Sequence, residues 1–338
     1  MRKIKIAVVG LGHPHSMDTT EALLRLTDDF EVVGIAEPSP DYCHPEHVNS
    51  PRRPKLYGTL ARYTVDELLA MDDLDAVAIE CEEENGTKYA QMFAEKGIHI
   101  HFDKPGTHGV ASFERLVETC RANGSVLHMG YMYRYNALVQ RAMEMKKAGE
   151  FGDIYSVEAH MSLLYAANMA SWIGKHKGGM MYYLGCHDVD LVMQFMGGAP
   201  EEVIPLNAST GQYGLDSENY GFAVLNYPSG ASFVKTTCAE PLGYGRRQLV
   251  INGSKATMEI KPIEIGLGYR EESGVMLKAR AVINRANGAT ETVECEPFER
   301  YEGMLRGFAS YVRGERENPY TYDYELSLFR TVMKACGC

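Results

Sequence analysis

Two glycines stand directly after a short apolar run near the start of the chain, and together these residues can hold a phosphate group. The run covers residues 4–9, is rich in β-branched side chains, and is typical of a strand buried on both faces of a parallel sheet. Gly10 and Gly12 follow it, and helical spacing begins near Ser16. In dinucleotide-binding folds the first glycine permits a tight turn and the second lets the backbone approach a pyrophosphate at the helix N-terminus. His15 takes the place of the third small residue of that pattern. The cofactor-contacting turn is therefore predicted to comprise Gly10, Leu11, Gly12, His13, Pro14 and His15.

A carboxylate follows the glycines at the distance that these folds use for the ribose. Residues 31–36 indicate a second strand, and Glu37 stands at its end, about twenty residues past the glycines. A carboxylate there accepts hydrogen bonds from the ribose diol and repels a 2′-phosphate, so the sequence favours NAD as cofactor over NADP. The alternative is a strand–turn–helix unit without a ligand, in which Glu37 is merely solvated.

Further polar residues follow two later predicted strands. The strand at residues 75–79 ends in an acidic group that includes Glu82, and the strand at residues 98–102 leads into Asp103 and Lys104. Ligands of parallel sheets bind at the carboxyl ends of the strands, so we expect these residues near the cofactor. The alternative for Lys104 is a surface lysine in a strand–helix loop.

Two different patterns divide the chain into predicted domains. Residues 1–125 alternate strands and helices, which indicates a doubly wound parallel sheet of the Rossmann type. Residues 126–338 are richer in strands of alternating polarity, which indicates an α+β domain with a large open, mainly antiparallel sheet. Asn252-Gly253 predicts a hairpin turn, residues 182–196 a helix, and residues 38–57 an irregular loop. Two closing helices are predicted near 304–313 and 324–335, and they can pack on the first domain.

The net charge, hydrophobic runs and cysteines of the chain argue against some classes of binding partner and location. The 338-residue chain has a formal net charge of -11, which argues against a nucleic-acid or anionic-membrane partner. No apolar run approaches a membrane-spanning length. The eight cysteines lie scattered without a C-x-x-C pair, as expected of reduced thiols in a cytoplasmic protein.

Several motifs, taken together and in order, resemble those of the Gfo/Idh/MocA oxidoreductase family. They are the glycine turn, Asp103-Lys104-Pro105, Tyr133-Arg134-Tyr135 and the segment Gly-Cys-His-Asp-Val-Asp-Leu at 185–191. The resemblance spans essentially the whole chain. It implies an N-terminal Rossmann domain, a C-terminal α/β domain on an open sheet, and an oxidoreductase that uses a nicotinamide dinucleotide.

The resemblance also implies roles for individual residues. Lys104 is expected to transfer the proton, His187 to share that transfer or hydrogen-bond the reacting hydroxyl, and Tyr183 to assist. Relatives often carry Asp one helical turn before this histidine, whereas this chain has Tyr183. Arg134 and Trp172 are expected to contact substrate, the indole by stacking on a polyol. The alternatives are a core histidine, a structural ion pair for Arg134, and packing of Trp172 in a domain seam.

A second departure from the family pattern concerns the residues after the strand at 75–79. Relatives commonly carry Pro-Asn where this chain has Glu82-Glu83. His13, His15, His101 and these glutamates are then expected on one rim. No ligand spacing there is diagnostic of a metal, so the sequence predicts no metal site.

The sequence therefore predicts an NAD-dependent oxidoreductase acting on a hydroxyl of a sugar, cyclitol or related polyol. An NAD-dependent glycosidase of the same family and a non-catalytic, dinucleotide-binding regulatory relative remain open as alternatives. The exposed sheet face predicts a homodimer or homotetramer.

Overall fold

The computed structural model describes residues 2–45, 47–265 and 278–338. Contacts between Cα atoms divide the chain into two compact units, each formed from two segments. The first unit comprises Met1–Met132 and Tyr301–Leu326, and the second comprises Tyr133–Arg300 and Ser327–Cys338.

The first unit contains a five-stranded parallel sheet of strand order β2-β1-β3-β4-β5. Its strands are β1 (Ile4–Val9), β2 (Phe30–Ala36), β3 (Ala76–Ile79), β4 (His99–Phe102) and β5 (Leu127–Met129). Its helices are α1 (Ser16–Arg25), α2 (Arg52–Tyr57), α3 (Val65–Leu69), α4 (Gly86–Ala94), α5 (Val110–Asn123) and α9 (Glu302–Val312). All four residues of β3 are fully buried, as predicted for a parallel strand that is covered on both faces. The Rossmann prediction is confirmed.

One part of the predicted loop at 38–57 is wrong, because its last residues form helix α2. Tertiary contacts hold this short helix against α1. The Arg52 guanidinium forms ion pairs with Asp18 and Glu21, both at 2.8 Å, and the buried Tyr57 hydroxyl bonds Ser16 at 3.0 Å. These contacts stabilise the helix, although the Pro- and Asn-rich local composition favours a loop.

The second unit is built on an eight-stranded sheet of order β13-β12-β11-β10-β6-β9-β8-β7. All its pairs are antiparallel except β6 with β9, which confirms the predicted open, mainly antiparallel sheet. The strands are β6 (Ile154–Ser162), β7 (Glu202–Pro205), β8 (Tyr220–Tyr227), β9 (Gly230–Thr237), β10 (Gln248–Gly253), β11 (Ala256–Ile260), β12 (Ala279–Arg285) and β13 (Thr290–Cys295). The helices are α6 (Ala137–Lys147), α7 (Ala167–Ile173) and α8 (Cys186–Met196), while α10 (Tyr322–Ala335) crosses the boundary at residues 326 and 327.

Two local predictions in this unit need correction. Asn252 and Gly253 do not form the hairpin turn but pair within β10, and the chain reverses at Ser254 and Lys255. Glycine is required at 253 because a Cβ there would lie 2.3 Å from the Phe151 carbonyl oxygen. The helix predicted for 182–196 begins as a π-helical turn, Met181–Gly185, which leads into α8.

All eight cysteines lie in the described ranges and are unpaired. None of the described helices combines the length and apolar character needed to cross a bilayer.

Candidate functional site

Strand register brings the sequence-predicted residues of the first unit to one edge of its sheet. The ladder aligns the last residues of four neighbouring strands, so the residues that follow them emerge side by side at the carboxyl edge. In spatial order these following residues are Glu37, Gly10, Glu80 and Asp103. Lys104 comes next after Asp103, is 3% exposed, and is joined to Pro105 by a cis peptide bond.

The glycine turn has the strained geometry that the sequence predicts at its first position. Gly10 has a φ of 90°, and a Cβ there would lie 2.5 Å from the Glu80 carbonyl oxygen. Packing also requires a glycine at position 12. A Cβ on Gly12 would lie 2.5 Å from the Tyr42 carbonyl oxygen and 2.6 Å from its Cδ1, and the His44 amide donates to the Gly12 carbonyl at 2.8 Å. Tyr42 therefore packs against the side of Gly12 on which a Cβ would stand.

Glu37 holds the turn and faces a cleft. Its Oε2 accepts the Leu11 amide at 2.8 Å and its Oε1 accepts the Ser39 amide at 3.0 Å. Burial raises the pKa of Glu37, although both amides and the Arg53 guanidinium at 3.8 Å act in the opposite direction. Glu82 accepts the Ser39 hydroxyl at 2.6 Å, so the two predicted carboxylates meet through one serine. The cleft beside Glu37 has a volume of about 480 Å³, and Leu11, Arg53, Tyr57 and Arg62 are among its lining residues.

A cluster of histidines and carboxylates fills the edge between the glycine turn and Lys104. His13 Nδ1 lies 3.2 Å from Asp103 Oδ2 and 3.6 Å from Glu80 Oε2, while its Nε2 lies 3.6 Å from Glu83 Oε1. His15 Nδ1 lies 3.0 Å from Asp103 Oδ1. We name His13, His15, Glu80, Glu83 and Asp103 the His–carboxylate cluster.

Burial and charge act against each other within the His–carboxylate cluster. Burial alone would lower the pKa of His13, but Asp103, Glu80 and Glu83 outweigh it and raise that pKa to about 10. Burial, followed by the charge of Asp103, raises the pKa of Glu80 to about 7. Burial would also raise the pKa of Asp103, but His15 and His13 hold it below its usual value.

His101 is not part of this cluster, contrary to the sequence-based grouping. Its Nδ1 lies 2.8 Å from Nδ1 of His128, and both rings pack on Phe308 of α9. Burial lowers the pKa of His101 to about 4.

Arg134 lies in the second unit and takes part in a buried, bidentate ion pair. Its Nη2 lies 2.8 Å from Asp190 Oδ1 and its Nε lies 3.0 Å from Oδ2, and Gln194 Nε2 donates to the same Oδ2 at 2.9 Å. The guanidinium is 1% exposed. This arrangement favours the structural ion pair, which the sequence left open as the alternative to a substrate contact.

His187, Tyr183 and Trp172 are all buried among aromatic rings of the second unit. His187 lies in the first turn of helix α8 and meets the Tyr133 ring edge-on at 5.0 Å. Tyr183 lies one turn earlier and meets the Trp172 ring edge-on at 5.4 Å. Trp172 also meets the His176 ring at 4.6 Å. The structure thus joins Tyr183 with Trp172, and His187 with Tyr133.

Sequence reasoning missed the buried network that fixes Tyr133. The Tyr133 hydroxyl donates to Glu264 Oε2 and accepts from Arg247 Nη1 at 2.9 Å, and Arg247 Nη1 also lies 2.7 Å from Glu264 Oε2. Burial and the neighbouring Glu264 charge raise the pKa of Tyr133 above its usual value, so this phenol keeps its proton. No local spacing could reveal a network whose members are 114 and 131 positions apart.

Comparison with known proteins agrees with this architecture. The family model described as an oxidoreductase family with an NAD-binding Rossmann fold matches residues 4–131, and the GFO/IDH/MocA C-terminal domain matches residues 139–259. D-xylose 1-dehydrogenase (NADP(+)) 2 of Haloferax volcanii is 30% identical over 181 residues, which are 53% of this chain and 53% of that protein. The aligned region therefore spans about half the length of that relative.

Solved structures share the fold at low sequence identity. UDP-N-acetylglucosamine 3-dehydrogenase from Acidithiobacillus ferrooxidans superimposes with a TM-score of 0.77 at 15% identity, covering 100% of this chain and 98% of that one. A 3-ketoreductase from Actinomadura kijaniata, solved in complex with TDP-benzene and NADP, gives a TM-score of 0.73 at 17% identity, covering 99% and 96%. With both of its domains matched by family models, the chain belongs to the Gfo/Idh/MocA family of oxidoreductases.

Proposed function

We propose that this protein is an NAD-dependent oxidoreductase that transfers a hydride between the nicotinamide and a hydroxyl or keto carbon of a sugar, cyclitol or related polyol. The observation that carries the proposal is the position of Lys104, buried at the carboxyl edge of a Rossmann sheet. Family membership supports the reaction class, and the D-xylose and UDP-sugar substrates named for the relatives support the substrate class.

The first unit offers residues that fit a dinucleotide. Glu37 borders a cleft of a size that suits a nucleoside, and each of its oxygens keeps a lone pair beyond the backbone amide it already accepts. Gly10 makes the tight turn. Tyr42 packs against Gly12, so we propose that residues 40–45 shift when a pyrophosphate binds there.

The reaction assigned to Lys104 is a proton transfer. Bound nicotinamide supplies the hydride acceptor or donor. The Lys104 Nζ accepts the hydroxyl proton during oxidation and returns it during reduction, and its burial keeps water from competing for that proton.

Residues of the second unit are proposed to bind the polyol. His187 donates or accepts a hydrogen bond at a substrate hydroxyl, held in orientation by the Tyr133 ring. Tyr183 supplies a phenol in place of the carboxylate common among relatives, and the Trp172 indole stacks on the sugar face. The unpaired cysteines support a reducing compartment, for which we propose the cytoplasm.

A screen that follows NADH absorbance over aldoses, UDP-sugars and inositols tests the proposal. We expect steady turnover with at least one of these classes. Dinucleotide binding without hydride transfer across the whole panel would instead favour a regulatory protein. Recycling of the cofactor during glycoside cleavage, without net redox change, would favour the glycosidase.

Neutralising Glu37 is expected to change the cofactor preference. Glu37→Gln keeps one of the two acceptor oxygens and removes the charge that repels a 2′-phosphate. The ratio of kcat/KM for NADP to that for NAD should rise about tenfold or more, since unit charges about 4 Å apart near a surface repel by about 1–4 kcal/mol. Glu31→Gln, on the exposed side of the same strand, should leave the ratio unchanged. An unchanged ratio in Glu37→Gln would show that Glu37 does not face the ribose.

We also propose that the protein is a homodimer or homotetramer that buries one face of the eight-stranded sheet. Cross-strand pairing places Ile204, Val224 and Phe233 in one row on the face opposite the fully buried Ala223 and Val234. These row residues are half-buried or exposed, so an apolar strip lies open along the sheet. Sedimentation equilibrium at micromolar concentration should give a mass of at least two chains, and a monomer would contradict the proposal.

A further inference from the structure

We propose that the first unit carries a binding site for a divalent transition-metal ion of the Zn²⁺ or Co²⁺ type. The ligands are His13, His15 and Asp103, and the buried Glu80 carboxylate lies beside His13. This inference does not rest on the proposed redox activity, and it departs from the sequence-based expectation of no metal.

The spacing of the donor atoms suits one small cation. His13, His15 and Asp103 each offer a ligand atom, and these atoms all lie within 4.8 Å of one another. Neighbouring donors of a tetrahedral site lie about 3.3 Å apart, because zinc–nitrogen and zinc–oxygen bonds are about 2.0–2.2 Å long. The separations from His13 Nδ1 to Asp103 Oδ2 and to Glu80 Oε2 are 3.2 Å and 3.6 Å, and that from His15 Nδ1 to Asp103 Oδ1 is 3.0 Å.

Buried carboxylate oxygens beside His13 also support a cation site. Glu80 is fully buried, and neither of its oxygens has a hydrogen bond of regular geometry from any residue that the structure describes. Within the same described ranges, Oδ2 of the buried Asp103 also lacks one. Such atoms are costly to bury unless a proton, a donor or a metal ion compensates them. A single imidazole, that of His13, faces three carboxylates, which are Glu80, Glu83 and Asp103.

The donor types select the class of metal. Two imidazole nitrogens with carboxylate oxygens are the ligands that zinc, cobalt and ferrous iron prefer. Magnesium and calcium favour sites of oxygen atoms alone, and cuprous ions favour sulfur. Regular elements position the ligands, because Asp103 directly follows β4, while His13 and His15 lie in the turn that leads into α1.

Metal analysis of the full-length chain tests the inference. After chelator treatment and equilibrium dialysis against micromolar Zn²⁺, we expect one zinc ion per chain by inductively coupled plasma mass spectrometry. Co²⁺ should give the visible absorption of a four-coordinate site, without the near-ultraviolet band that thiolate ligands produce. Less than one ion in ten chains, or a thiolate-type spectrum, would overturn the proposal whatever the variants do.

Two substitutions locate the site. His15→Ala removes a direct ligand and should weaken Zn²⁺ binding more than 100-fold. Loss of a residue that only supports a ligand weakens metal binding by about 10–100-fold. His15 is the most exposed of the ligands, so this variant is the one best able to keep the fold. The matched control is His160→Ala, because His160 Nε2 lies 3.1 Å from Glu240 but has no second imidazole in its site among the residues described. Full zinc binding in a folded His15→Ala, or equal loss in His160→Ala, would contradict the assignment.

Discussion

Lys104→Met is expected to lower kcat by about 10²–10⁴-fold, the range typical of losing a general acid–base group. Methionine is similar to lysine in length and fills the same buried position at the end of β4, but it has no amine to accept or return the hydroxyl proton. Affinity for NAD should stay close to that of the unchanged protein, because the proposed ribose contact belongs to Glu37. The measurement is steady-state kinetics on the substrate found in the screen, with NADH binding followed by fluorescence titration.

The pH profile separates a proton-transfer role from a structural one. In the unchanged enzyme, kcat should change with pH as the catalytic base gains or loses its proton. The residual kcat of Lys104→Met should not show this dependence on pH. Lys96→Met, on an exposed position after α4, controls for the loss of a positive charge and should be fully active. Retained turnover in Lys104→Met would place the base elsewhere. Parallel loss of turnover and NADH binding would make Lys104 a cofactor-binding residue.

The elements that the sequence predicted well are those in which local pattern and tertiary environment agree. The apolar runs of β1 and β3 predict parallel strands because both faces of these strands are buried. β12 and β13 were not predicted. β13 alternates exposed and half-exposed residues, so it offers little apolar contrast, and its pairing depends on its neighbour in the sheet. Helix α2 was missed because its contacts with α1, which include the buried Tyr57 and the ion pairs of Arg52, are tertiary and leave no local pattern.

The sequence likewise predicted some parts of the candidate site and not others. The rule that ligands bind at the carboxyl ends of parallel strands was enough to place Gly10, Glu37 and Lys104 at one edge. It could not show that Tyr42 covers Gly12, because that contact depends on the path of an irregular loop. The distances within the His–carboxylate cluster likewise join side chains up to 90 positions apart. They are set by turn geometry and packing, which leave no periodic trace in the sequence.

Arg134→Met is expected to destabilise the second unit by about 3–5 kcal/mol, the usual cost of removing one partner of a buried ion pair. The substitution removes both hydrogen bonds that the guanidinium donates to the Asp190 carboxylate, which is 1% exposed. Trp172 is the only tryptophan in the chain and is buried in the second unit, so its fluorescence reports unfolding of that unit in urea. The unfolding midpoint should fall to lower urea concentration.

A double substitution shows whether the loss of stability arises because the buried Asp190 carboxylate no longer has the Arg134 guanidinium beside it. In Arg134→Met/Asp190→Leu no uncompensated carboxylate remains, so a large part of the lost stability should return, as happens when both members of a buried pair become apolar. Arg121→Met is the surface control, since the Arg121–Asp323 pair is exposed and such pairs contribute about 0–1 kcal/mol. An Arg134→Met protein of unchanged stability but raised KM would reverse the interpretation. Arg134 would then be a substrate-binding residue, and its pairing with Asp190 would only position the guanidinium for that contact.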